Sequence, residues 1–280
     1  MNAVFSICGL LAVLFVVVIT VYLLFAGLPA IKEIGLVEFI TGKEWASTAD
    51  EPKYGILPFI MTSVYGTFGA MLIGVPIGLL TATFSAKFAP KRIGSCLRSA
   101  VDLLAGIPSV VYGLIGMIVL VPFVREVFGL PDGGNLFSAI IVLAVMILPS
   151  IINVSETALR AVPKEYEEAS LALGATKTET VFKVTLPAAK SGIAAAAVLG
   201  VGRAVGEAMA VMMVSGNVAN MPGIFKSVRF LTTAIASEMS YSSGLQRKAL
   251  FSIALILFVF ILIINLVLNL VLKREKNNEK

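Results

Sequence analysis

Histidine is absent from the 280-residue chain. That removes the one side chain whose unperturbed titration falls between pH 5 and 8, and with it His proton relays and His-ligated metal sites. There are two cysteines: Cys8 lies in an apolar run and Cys96 in a basic stretch. This pattern suits neither a disulfide framework nor a zinc site. Charge is scarce as well, at 14% of residues, where an average soluble domain carries about 25%. The chain is instead 58% hydrophobic with a mean hydropathy of +0.96, the balance of an integral membrane protein. The net charge is +5. Its basic residues cluster beside apolar runs, which points to membrane orientation and not to a nucleic-acid partner.

A helix needs about 20 apolar residues to cross the hydrocarbon core. Charge-free or nearly charge-free runs at residues 3–28, 56–86, 103–124, 136–155 and 249–272 meet that length. Residues 191–215 do so too, although they contain Arg203 and Glu207. The expectation is an all-α membrane protein of six transmembrane helices. It divides into a first helix at 1–28, an extracytoplasmic loop at 29–55, a core of five helices at 56–272 and a basic tail at 273–280. The first run is longer than a signal-peptide core, and no small-residue cleavage site follows closely, so a retained helix is expected. Lys87, Lys91, Arg92 and Arg98 stand together without an acidic residue, and the tail carries Lys273, Arg274, Lys276 and Lys280. Both belong on the cytoplasmic side, which puts both termini there. Pro58, Pro76, Pro108, Pro122 and Pro149 fall within the spans; each removes a helical hydrogen bond, so irregular helices are expected.

The loop at 156–190 carries its own helical signals. Pro163 suits a first helical position, 164–173 reads as a short amphipathic helix, and Gly174 is placed to end it. Thr176 with Glu179 makes a capping-box pattern that starts a second helix. Five acidic and five basic residues share the loop, a mixture that fits docking to another protein better than lying on lipid.

In this loop the chain resembles the permeases of binding-protein-dependent ABC transporters. Their signature is Glu-Ala-Ala, three residues, Gly, nine residues, Ile, one residue, Leu-Pro. Here Glu168-Ala169-Ser170 is followed by Gly174, Val184 and Leu186-Pro187 at the same spacing; Ser for Ala and Val for Ile are the departures. The resemblance implies a MetI-like permease fold with a coupling helix between the fourth and fifth spans. It also implies ATPase docking through Glu168, Ala169, Gly174, Leu186 and Pro187. No G-x-x-x-x-G-K-[ST] phosphate loop occurs in the chain, so ATP and Mg are expected on a separate ATPase subunit, with no cofactor, metal or catalytic residue in this one.

The stretches "YGILPFI", "GIPSVVYGL", "GRAVGEAMAV" and "LTTAIASEM" are similar to phosphate permeases, the third to the PstC-type subunit more than to its PstA-type partner. The partners so implied are a PstA-type second permease, two ATPase copies and an extracytoplasmic phosphate-binding protein, in a cytoplasmic membrane. Permeases for molybdate, sulfate or phosphonate are the neighbouring alternative, and an ATP-independent secondary transporter is a more distant one.

Arg203 and Glu207 stand four residues apart, one helical turn on one face. A charge at mid-membrane costs about 2.5–3.5 kcal/mol on insertion scales and usually faces a bundle interior or a water-filled cavity. A guanidinium offers planar paired donors matched to an oxyanion, so Arg203 is the expected substrate contact and Glu207 its charge balance. The competing reading is a static pair in a tightly packed helix. Gly192, Ala196 and Gly200 form one small-residue ridge there, and Gly202 and Gly206 another. Asp102 reads as a solvated helix-end residue. The outer loop at 216–248 breaks the charge rule, with Lys226, Arg229, Arg247 and Lys248 against Glu238. Its apolar spacing suggests either a helix at the lipid boundary or a platform where Lys226 and Arg229 meet the binding protein.

Overall fold

The structure, a computed structural model, describes residues 2–277. Helix α1 (Asn2–Ile34) continues six residues past the expected end of the first span. A glycine at φ +95° then redirects the chain into α2 (Leu36–Thr41) and a short antiparallel hairpin, β1 (Trp45–Ala46) with β2 (Lys53–Tyr54). The hairpin is closed by Lys53, whose ammonium donates to the Glu44 carboxylate at 2.5 Å.

Helix α3 (Leu57–Thr83) starts on Pro58 and ends in a π-helical turn, Phe84–Phe88. Then come α4 (Lys91–Gly106), α5 (Ser109–Ile115), a second π turn at Gly116–Leu120, and α6 (Val121–Phe128). The long α7 (Leu136–Arg160) is capped by Asn135, whose side chain accepts the Ser138 N–H at 3.0 Å. The loop beyond it holds α8 (Lys164–Ala172), α9 (Lys177–Thr180), a π turn at Val181–Thr185 and α10 (Leu186–Ala188). The chain ends in α11 (Lys190–Gly206), α12 (Met209–Val214), α13 (Leu231–Glu238) and α14 (Gly244–Asn277).

Five stretches among the described residues are long and apolar enough to cross a membrane: Val4–Ile34, Leu57–Phe88, Ser109–Phe128, Leu136–Arg160 and Gly244–Val267. A sixth, Lys190–Gly206, qualifies together with Lys177–Ala188, from which it is bent by 69°. Two further departures from the expected limits have a local cause or consequence at the site. The third span starts at Ser109, because Pro108 cannot continue the preceding helix; residues 103–106 end the amphipathic α4, which lays Gly94 and Val101 inward. The fifth stops at Gly206, nine residues short. The tail at 273–280 is helical through Asn277, and Lys280 lies outside the described residues.

Helix α7 is the centre of the bundle. A Cβ added to Gly74 or Gly78 of α3 would stand 2.8 Å from Ile147 or Ile151 of α7, so these glycines permit the close approach. Gly192 of α11 meets the Ala158 Cβ of α7 at 2.3 Å in the same test, Gly200 approaches Ile151 at 3.1 Å, and Ala196 is fully buried. The first small-residue ridge is therefore a packing surface. The second is not: around Gly202 and Gly206 an added Cβ meets nothing within 4 Å. Helix α1 is peripheral and packs along α14, where Ser252 Oγ donates to the Gly27 carbonyl at 2.6 Å.

Candidate functional site

Arg203 occupies the last turn of α11. Carbonyl ends there carry partial negative charge, which offsets part of the cost of the cation by roughly 0.3–1 kcal/mol. The helix stops three residues later. Glu207 is extended, at φ −74° and ψ 130°, so it does not lie one turn along on the same face as expected. The two charges take separate partners. Arg203 Nη1 donates to Ser150 Oγ of α7 at 3.0 Å. Glu207 Oε1 accepts the Ala210 N–H at 2.9 Å and so caps the start of α12, while its carbonyl accepts from Thr232 Oγ1 of α13 at 2.7 Å. Glu207 thus holds a break in a membrane helix instead of neutralising Arg203. Non-helical backbone at such depth is tolerated where protein or a water-filled cavity surrounds it. Both side chains are half-buried, and the exposed glycines 202 and 206 flank Arg203 on the open face of α11.

Two of these partners were not anticipated. Ser150 follows Pro149 inside an apolar run, and its hydroxyl was the available signal. Thr232 belongs to the segment expected to be either a helix at the lipid boundary or a platform for the binding protein. In fact Leu231, Thr232, Thr233 and Ala234 are buried, because α13 packs inward against α12, α14 and α3.

The outer loop is redirected in the same way. Lys226 is exposed, but Arg229 is turned inward. Its guanidinium pairs with Glu238, donates twice to the Asn217 carbonyl at 3.1 and 2.9 Å, and lies 5.9 Å from the Phe59 ring centroid. Glu238 also accepts from Trp45 Nε1 at 3.2 Å, Ser47 Oγ at 3.3 Å and Gln246 Nε2 at 3.0 Å. These contacts tie the hairpin, α13 and α14 into one platform at this end of the bundle. Arg229 is an internal staple of that platform and not a free cation on its surface.

At the opposite end, the 156–190 loop forms the two expected short helices. Pro163 sits one place earlier than expected, as the N-cap of α8. Gly174 at φ +86° makes the turn, a conformation that a side chain would strain. Thr176 and Glu179 form the capping box. Glu168, Ala169 and Gly174 are exposed together at the tip, and Leu173 beside them is 90% exposed. Leu186 instead packs into a hydrophobic cluster with Ala82, Val101 and Leu159, and Pro187 is exposed at the start of α10.

Asp102 accepts from Asn153 Nδ2 at 3.1 Å and lines a polar cavity of about 290 Å³ with Arg98, Glu156 and Arg160. Glu156 is 4% exposed and takes both arginines, Arg98 at 2.6 Å and Arg160 at 2.8 Å. The hydrogen bond and charge of Glu156 raise Arg98 above its ordinary pKa. Among the described residues no group of three metal-ligating side chains gathers.

Residues 74–277 match the family described as the binding-protein-dependent transport system inner membrane component. The chain belongs to this family. A relative in Bacillus subtilis (strain 168), named a probable ABC transporter permease protein YqgH, is 41% identical over 266 residues, covering 92% of this chain and 86% of the relative. A phosphate transport system permease protein PstC of Pasteurella multocida (strain Pm70) is 34% identical, covering 86% and 81%. Among solved structures, the MetNI methionine ABC transporter in inward-facing conformations matches with a TM-score of 0.63 at 22% identity, over 78% of this chain and 95% of that one. A bacterial alginate ABC transporter with its pentasaccharide-bound periplasmic protein matches at 0.63 and 17%, over 96% and 94%. The permease therefore has the MetI-type fold. It is a membrane subunit of an ABC importer, a transport component and not itself an enzyme.

Proposed function

We propose that this permease forms half of the membrane pathway of an ATP-driven importer of inorganic phosphate. The observation that carries the reading is Arg203: a half-buried guanidinium at a broken membrane helix, bound to one neutral hydroxyl and bordered by the open glycines 202 and 206. A guanidinium with spare donors suits a compact oxyanion. The relatives named as phosphate permeases support the choice of anion. Ser150 holds the cation while the pathway is empty, and an arriving phosphate takes its place. Glu207 fixes the break that presents Arg203.

The open face of α11 fits against a second, PstA-type permease. The exposed tip of α8 docks on one of two ATPase subunits, which bind ATP and Mg, and an extracytoplasmic phosphate-binding protein delivers the solute. Both termini face the cytoplasm in this arrangement, across the cytoplasmic membrane.

The test is ATP-dependent uptake of labelled phosphate by the reconstituted complex, with molybdate, sulfate and phosphonate as competitors. Charge-assisted hydrogen bonds contribute about 1.5–3 kcal/mol each, so Arg203→Gln is expected to weaken uptake roughly 10- to 150-fold while the complex still assembles. Normal phosphate uptake by that variant refutes the role of Arg203. Preferred uptake of a competitor replaces phosphate with another oxyanion.

A further inference from the structure

The 156–190 loop reaches the bundle by its chain connection to α11 and by side-chain contacts with the end of α3. Between α10 and α11 the chain bends by 69°, so α8 and Arg203 do not share one rigid rod. Two polar side-chain contacts of the loop reach the π turn that ends α3. Lys87 Nζ stands 2.5 Å from Glu167 Oε1, with side chains only 13% and 26% exposed. Thr185 Oγ1 donates to the same carboxylate oxygen at 3.3 Å. The Lys177 ammonium lies 5.4 Å from the centroid of Phe88. On the same turn the Ser85 carbonyl accepts Arg160 Nη2, from the end of α7, at 3.1 Å.

Glu167 and Glu168 are successive helical residues, about 100° apart around the axis. The first is turned into the bundle and the second out to solvent. We infer that Lys87–Glu167 is the contact through which movement of the coupling helix α8 reaches the membrane spans, Lys87 and Glu167 acting as positioning residues. This rests on the ATP-driven importer reading above.

Three features favour transmission through this pair. Little solvent reaches it, so its attraction is weakly screened. The flexible lysine stem lets the contact persist as α8 rocks. The receiving turn is joined to both members of the closely packed pair α3 and α7, and Ser150 on α7 is the residue that holds Arg203. The path from ATPase to anion site thus runs α8, end of α3, α7, Arg203.

The experiment uses the complete transporter in proteoliposomes and measures phosphate uptake per ATP hydrolysed. Lys87→Met and Glu167→Gln are expected to assemble and hydrolyse ATP while losing at least about tenfold in uptake per ATP. The double exchange Lys87→Glu with Glu167→Lys is expected to recover most of it, a coupling that only a direct interaction gives. Unchanged uptake per ATP in both single variants overturns the inference. So does a proportional fall of hydrolysis and uptake that the exchange does not rescue, since that is the behaviour of a purely structural pair. Absence of ATP-dependent phosphate uptake in the unmodified complex would refute the phosphate reading, and uptake per ATP is then measured with the competing oxyanion that is transported; normal uptake there with no effect of the variants removes only the inference.

Discussion

Replacing Arg229 by glutamine decides whether this cation faces the binding protein or the protein's own interior. Its side chain is 16% exposed and that of its partner Glu238 is 19%. Removing one member of a buried ion pair typically costs about 3–5 kcal/mol, because the other charge is left unpaired. Here Glu238 keeps the Trp45, Ser47 and Gln246 donors, which lowers the penalty, while the Asn217 carbonyl loses two guanidinium bonds, which raises it. The net expectation is a loss of about 2–3 kcal/mol, or roughly 5–10 °C in midpoint. Trp45 is the single tryptophan and its indole N–H donates to Glu238. Thermal unfolding in detergent, followed by intrinsic fluorescence, therefore reports on this platform directly. Lys226→Gln, at an exposed position, is the control and should melt like the wild type. An Arg229→Gln variant with wild-type melting and weakened binding-protein affinity would contradict the argument.

Gly192→Val should cost about 1–3 kcal/mol by overpacking, since a Cβ there already meets Ala158 at 2.3 Å. Gly202→Val should leave the melting of the isolated subunit unchanged and reduce the amount of second permease that copurifies; the two are compared by melting and pull-down. Gly174→Ala forces a side chain into φ +86°, at roughly 1–2 kcal/mol, and should speed hydrogen exchange across 164–180. In the outer hairpin, the hydrogen bond and charge of Lys53 hold the Glu44 carboxyl below its ordinary 4.5. A lowered folded-state value means that the pair's contribution is complete above about pH 4.5 and is lost as pH falls through the folded value. Hairpin amide exchange, corrected for its intrinsic pH dependence, should therefore rise below pH 4, and Glu44→Gln should remove that rise.

The 156–190 loop was readable residue by residue because its signals are local. A glycine at the turn and a threonine three residues before a glutamate set their own backbone. Arg229 was misplaced for the opposite reason: its acceptors become visible only once 217–230 has folded back over Phe59. The limits of α4 lay between these cases, since Pro108 marked the boundary while the unbroken apolar run argued through it.

The sequence by itself determined the membrane class, the approximate spans and the two short helices of the 156–190 loop. An apolar run about 20 residues long can satisfy its backbone in lipid only as a helix, and caps act within a turn or two of the chain. Tertiary structure alone decided what Arg203 and Glu207 do. The serine that receives Arg203 is 53 residues away and the threonine that holds the helix break is 25 away. Which way a buried polar group turns depends on the partners that packing brings to it, and spacing along one helix does not contain them.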